Sequence, residues 1–91
     1  MEIEIGRVTH YFDHISVAVL NLTASLKLGD KIHIYGHSTD LTQRVGSLEV
    51  DHHAVEWVKP GDDVALKVNG HVHPHDKIFR VVEESYEPPP V

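Results

Sequence analysis

Leu28-Gly29-Asp30-Lys31-Ile32 joins a glycine-aspartate turn to the start of an alternating apolar run. The same pattern returns in Pro60-Gly61-Asp62-Asp63-Val64 and, with histidine in place of glycine, in His75-Asp76-Lys77-Ile78. Glycine adopts backbone conformations that other residues avoid, and aspartate favours turns. Each copy therefore predicts a tight turn that leads into a β-strand.

Alternating apolar residues predict six strands along the chain, and helix signals are nearly absent. The predicted strands lie at 3–8, 15–20, 32–35, 43–55 with a bend near Gly46, 64–68 and 78–82. The second is expected to be buried, and residues 37–42 are expected to form a polar loop. The predicted fold is all-β, a small closed six-stranded antiparallel β-barrel, since closure removes exposed sheet edges.

The length of 91 residues allows one domain with one modest core, which we place at residues 1–83. Residues 84–91 are acidic and rich in proline, and they predict a flexible tail. There is no cysteine, no secretory signal and no apolar run long enough to cross a membrane. We therefore expect a cytoplasmic protein that does not contact membranes.

The net charge of −6 is concentrated at the ends of the chain. Five of the 14 acidic residues are terminal, namely Glu2, Glu4, Glu83, Glu84 and Glu87. The body between them is close to neutral, and its basic residues are scattered rather than grouped into a track for phosphates. Any contact with RNA is expected to be weak.

Catalytic motifs are missing from the sequence. There is no G-x-x-x-x-G-K-[ST] phosphate loop, which argues against binding of a nucleoside triphosphate. No nucleophile elbow or spaced carboxylate pair is present either. We expect a protein that is not an enzyme and carries no cofactor.

Three alternating histidines, His71, His73 and His75, form a candidate metal site. Residues i, i+2 and i+4 of a strand share one face, where three imidazoles could bind zinc, nickel or copper. The intervening Pro74 and the preceding Asn69-Gly70 turn favour a loop instead. The alternative of chance metal binding by exposed histidines stays open.

Trp57, two residues before Lys59, forms a candidate partner-binding site. Tryptophan is enriched at the energetic centres of protein interfaces, and an aromatic ring beside a cation can also stack on a nucleobase. A place in the core or at an end of the barrel is the competing interpretation for a large aromatic residue. The partner is expected to be a protein or a ribonucleoprotein.

Four segments together resemble the second, β-barrel domain of translational GTPases such as elongation factor Tu and initiation factor two. They are Ile5-Gly6-Arg7-Val8, the run at 26–36 (LKLGDKIHIYG), Arg44-Val45-Gly46-Ser47-Leu48, and the run at 59–66 (KPGDDVAL). The resemblance covers residues 5 to 82. Similar barrels also resemble the carboxy-terminal domain of collagenase-like peptidases.

The resemblance implies a non-catalytic, translation-elongation-factor-like β-barrel module that docks on a protein or ribonucleoprotein. Two alternatives remain. One is an accessory barrel subunit of a collagenase-like peptidase or another enzyme. The other is a histidine-based metal-binding protein.

Overall fold

The computed structural model describes residues 1–82, which form ten β-strands and no helix. This confirms the all-β prediction, while the predicted tail at 84–91 lies outside the described residues. The strands are β1 Glu2–Phe12, β2 Val17–Leu22, β3 Leu26–Lys27, β4 Lys31–Gly36, β5 Thr39–Arg44, β6 Leu48–Val50, β7 His53–Val55, β8 Trp57–Val58, β9 Val64–Lys67 and β10 Lys77–Val81. Over these 82 residues, therefore, no helix that could span a membrane exists.

Eight strands form one antiparallel sheet in the order β5-β4-β10-β1-β2-β9-β6-β7, and β3 pairs with β8 in a separate ribbon. The prediction of a closed six-stranded barrel is wrong in both strand number and closure, because no pairing joins the sheet's end strands β5 and β7 within residues 1–82. The ribbon instead adds Leu26 and Val58 to the core. Closure depends on where distant strands meet, which local turn signals do not specify.

The core is a single cluster of aliphatic side chains on alternating strand positions. Ile32 and Ile34 of β4 and Val64 and Leu66 of β9 are all fully buried, as their sequence alternation predicts. The other strands contribute Ile5, Val8, Ala18, Leu20, Leu22, Leu26, Leu48, Val58 and Ile78, and the connections contribute Val45, Val68 and Val72.

Strand β5 occupies most of the segment that was predicted to be a polar loop, so that prediction is corrected. Its inward side chains include Thr39 and Gln43, which are polar yet buried. The Gln43 side-chain amide donates a hydrogen bond to the Lys67 carbonyl (3.0 Å) and accepts one from the Asn69 backbone N–H (2.6 Å). Because polar residues occupy core positions of β5, the pattern of alternating apolar residues did not predict this strand.

The predicted bent strand at 43–55 is divided between β5 and a hairpin of β6 and β7. The hairpin turns through Asp51 (φ 51°) and His52 (φ 65°). Two successive positive φ angles are typical of a type I′ turn, for which Asn-Gly is the usual sequence signal. The Asp-His pair lacks that signal, so the sequence did not reveal the turn.

All three glycine-aspartate turns share the same backbone geometry. The carboxylates of Asp30, Asp62 and Asp76 accept a hydrogen bond from the backbone N–H three residues earlier, at 3.0, 2.9 and 2.8 Å. Each of these aspartates also donates its own N–H to the carbonyl of that earlier residue, at 3.2 Å. The repeated turn predicted from the sequence is therefore confirmed, including the degenerate third copy.

The third turn places a histidine where the second has glycine: His75 has φ 75° and Gly61 has φ 94°. A side chain in this left-handed region costs roughly 1–2 kcal/mol. We expect His75→Gly to stabilise the fold by about 0.5–1 kcal/mol, less than the full strain because glycine also gains entropy in the unfolded chain. Urea unfolding followed by circular dichroism measures the change.

The reverse substitution, Gly61→Ala, is the control for this prediction. A Cβ at Gly61 would meet nothing within 4 Å, so only the backbone conformation opposes it. It should lose about 1 kcal/mol of stability. A destabilised His75→Gly variant would show that the histidine side chain contributes more than its backbone strain costs.

Candidate functional site

The ribbon of β3 and β8 presents Trp57 at the surface, with the residue 60% exposed. This exposure excludes a position for Trp57 in the hydrophobic core. Two shallow depressions flank the indole, one of about 490 Å³ and the other of about 420 Å³. The first is lined by Ser25, Leu26, Lys27, Asp30 and Arg80, and the second by Val55, Glu56, Lys59 and Asp62. We call this region the Trp57 surface.

Trp57 and Lys59 line the same depression, so the structure brings the predicted partner-binding pair together. The Lys59 ammonium lies 3.2 Å from an oxygen of Asp62. The pKa of the Asp62 carboxyl is held below its usual range, mainly by the hydrogen bond from the Lys59 backbone N–H and to a smaller extent by the Lys59 ammonium. The turn carboxylate therefore partly neutralises the cation beside the indole. Partner binding by these residues stays a prediction.

The side chains of His71, His73 and His75 do not share one face of a strand. The rings of His71 and His73 meet edge to face, with centroids 4.8 Å apart, and His73 Nδ1 lies 2.9 Å from the Thr39 hydroxyl. His75 follows Pro74 and occupies the left-handed turn position, so the i, i+2, i+4 alternation is broken. Within residues 1–82, no three His, Cys, Asp or Glu side chains are placed to hold one metal ion. The three-histidine site stays a prediction that this geometry does not support.

A different histidine is held by two carboxylates. His33 of β4 lies 2.6 Å from Glu2 through Nδ1 and 2.6 Å from Asp40 through Nε2. Both ring nitrogens act as donors only in the protonated imidazole. The hydrogen bond to Glu2 is the main cause that raises the pKa of His33 above 6.5, helped by Asp40 and opposed by partial burial.

This arrangement predicts a stability that falls as pH rises. Because the pKa of His33 is higher in the folded than in the unfolded chain, its stabilising contribution is complete below pH 6.5 and is lost as pH rises through the folded value. Urea unfolding between pH 5.5 and 8.5 should show this decline, and His33→Asn should reduce it. The exposed His37, substituted in the same way, should leave the decline unchanged; equal slopes for wild type and His33→Asn would contradict the assignment.

The outer face of β2 carries an unexpected apolar groove of about 320 Å³, which we call the β2 groove. Val17 and Val19 are half-buried at its floor, while Phe12 and Ile15 are 50% and 58% exposed at one side. The sequence predicted a buried β2. That is correct only for the inward face, where Ala18 and Leu20 lie.

Sheet register explains the shape of the β2 groove. Val19 lies opposite Ala65 of β9, which in turn lies opposite Glu49 of β6, so the three side chains form one row across the outer face. The small methyl of Ala65 between two longer side chains leaves a trough. Asp51, His52 and Asp63 also line it, so that with Glu49 the groove carries three carboxylates and one imidazole.

Sequence comparisons connect this all-β domain with peptidases. The chain is 37% identical over 83 residues to an uncharacterized protease of Methanocaldococcus jannaschii, a match that covers 90% of this chain and 20% of that protein. It is 30% identical over 81 residues to a collagenase of Porphyromonas gingivalis, covering 87% of this chain and again 20% of the relative. The chain thus spans only 20% of the length of these curated relatives. No protein-family model matches the sequence.

The fold is that of the C-terminal domain of a Geobacillus thermoleovorans protein described as a U32 peptidase. The two structures agree with a TM-score of 0.80 over 86% of this chain and 91% of that domain, at 17% identity. The selenomethionine variant of that domain gives a TM-score of 0.78 at 18% identity. The predicted likeness to collagenase-like peptidases is confirmed. None of these relatives is named as a translation factor, so the elongation-factor identity is not supported.

Proposed function

We propose that this chain is a non-catalytic accessory β subunit that docks on the catalytic chain of a collagenase-like peptidase. One observation supports this most strongly: two relatives named as a protease and a collagenase match nearly the whole chain, yet the match takes up 20% of each of them. The remaining length of such proteins is where a catalytic centre would lie.

The Trp57 surface is the proposed docking site for the catalytic part. An indole exposed on a strand and flanked by two depressions offers a large apolar area that loses little entropy when it is buried. Arg80 is fixed beside it, since its guanidinium donates to the Ser25 carbonyl at 2.6 Å. A rigid aromatic group with ordered polar neighbours suits recognition of a folded protein surface.

A ribonucleoprotein partner is less consistent with the charges. RNA binding requires cations that neutralise phosphates, whereas three carboxylates balance the three cations that line the Trp57 surface, and carboxylates line the β2 groove. The peptidase proposal needs no basic face.

Affinity capture from a lysate of the source organism tests the proposal. The tagged full chain is the bait, and Trp57→Ala is the matched control bait. Recovery of a collagenase-like peptidase polypeptide with the wild-type bait, and its depletion with the variant, is the expected result. Capture of ribosomal proteins or tRNA in place of a peptidase would refute it.

A further inference from the structure

The β2 groove combines apolar lining residues with three carboxylates. The centre of a sheet's outer face normally carries polar residues, but here Val17, Val19 and Ala65 occupy it. Exposed apolar patches bordered by polar residues mark interaction sites on soluble proteins. The floor therefore favours an apolar ligand group.

Three carboxylates and one imidazole line the groove. Glu49, Asp51 and Asp63 supply the carboxylates and His52 supplies the imidazole, and no lysine or arginine lines the groove among the described residues. Complementary charge on a ligand would strengthen encounter and fix its orientation. A ligand with cations beside apolar groups matches both features.

We propose that the β2 groove binds an extended polypeptide segment in which apolar side chains alternate with lysine or arginine. Resting on the proposed function, this segment belongs to the polypeptide substrate that the peptidase cleaves, and the groove holds it near the catalytic part. The acidic groups would repel nucleic-acid phosphates and anionic lipid headgroups. They also do not form a metal site, since no suitable ligand group is present in residues 1–82.

The size of the groove favours a segment over a folded domain. A volume of about 320 Å³ lies at the low end of the range for ligand pockets, roughly 300–1,000 Å³. It accommodates a few side chains, and its lining residues come from β2, β9 and β6 and from the turns beside these strands. In an extended peptide every second side chain would enter the groove, leaving the intervening cations to meet the acidic groups.

Fluorescence anisotropy with synthetic peptides tests this proposal without any peptidase. The probe is a labelled 12-residue peptide of alternating leucine and lysine, and the comparison probe replaces each lysine with glutamate. We expect binding of the lysine peptide, weakening as salt rises from 50 to 300 mM, and no measurable binding of the glutamate peptide.

Matched variants locate the binding. Glu49→Gln/Asp63→Asn should weaken the lysine peptide about three- to thirtyfold, because two exposed ion pairs are lost. Glu4→Gln/Asp40→Asn removes the same charge from exposed positions outside the groove and the Trp57 surface and should change affinity less than twofold. Ala65→Leu should block binding by filling the trough, whereas Ala65→Ser should preserve it. Thermal unfolding checks that each variant is folded.

Three results would overturn the proposal. They are equal affinity for both peptides, affinity unchanged by Ala65→Leu, and preferential binding of oligouridylate or of phosphatidylglycerol vesicles. Failure of peptide binding alongside recovery of a peptidase in the capture experiment would refute the groove and leave the accessory-domain function standing. The opposite combination would refute the accessory-domain function and the assignment of the segment to a peptidase substrate, and it would leave peptide binding by the groove standing.

Discussion

Gly6→Ala is expected to cost at least about 3 kcal/mol of stability. A Cβ at Gly6 would lie 2.3 Å from the Asn21 carbonyl oxygen and 2.9 Å from the Leu22 Cα. Both are backbone atoms of β2, so relief requires separation of the two central strands. A chain of this length has roughly 5–14 kcal/mol of total stability. Urea unfolding followed by circular dichroism measures the loss.

Gly46→Ala is the matched control, since a Cβ there would meet nothing within 4 Å. It lies between β5 and β6, and its substitution should change stability by less than about 0.5 kcal/mol. Similar stabilities for Gly6→Ala and wild type would contradict the pairing of β1 with β2 at this position.

Asp76→Ala is expected to cost about 2–3 kcal/mol. The Asp76 residue is only 5% exposed, its carboxylate accepts from the His73 N–H at 2.8 Å, and it packs closely against Gly36 of β4. Alanine would leave that donor without its partner and open a gap beside β4. The free energy of unfolding from urea titration reports the effect.

Asp30→Ala provides the comparison within the same turn type. Asp30 makes the same hydrogen bond, to the Lys27 N–H at 3.0 Å, but in an exposed setting. Water can replace the lost acceptor, so the expected cost is about 1 kcal/mol. Equal losses at the two positions would show that burial of the third turn does not determine its contribution.

Local chemistry explains which parts of the fold were predictable. The three turns were found because glycine, aspartate and the bond to the residue three positions earlier all lie within one short segment. Strands β4 and β9 were found because their inward residues are uniformly aliphatic. Strand β5 was missed because Thr39 and Gln43 face inward, and sheet closure was mispredicted because it depends on contacts between distant strands.

The candidate sites also differ in how much of their geometry the local sequence predicts. The sequence left both a core and a surface position open for Trp57, and the structure places the residue at the surface near Lys59. Pro74 and the Asn69-Gly70 turn favoured a loop at the histidine cluster, and the structure has a loop there, whereas the left-handed conformation of His75 had no signal in the sequence. The β2 groove requires the register that places Ala65 between Val19 and Glu49, which no local pattern reveals.

The functional prediction shows a further limit of sequence motifs. Glycine-aspartate turns specify a small β domain, and such domains occur in proteins with different activities. The motifs therefore led to a translation-factor interpretation, whereas relatives covering almost the whole chain are named as a protease and a collagenase. The fold alone therefore does not identify the activity, which depends on the residues of the functional site.

Direct association with a peptidase tests the accessory-domain proposal. The purified chain and the catalytic polypeptide of a collagenase-like peptidase from the same organism are mixed at equal concentrations. Sedimentation velocity then reports complex formation, and hydrolysis of gelatin reports activity. We predict a one-to-one complex that cleaves gelatin faster than the catalytic polypeptide alone, that is weakened by Trp57→Ala and that is unaffected by Tyr35→Ala, a second exposed aromatic residue. Independent sedimentation of the two proteins with unchanged hydrolysis would contradict it.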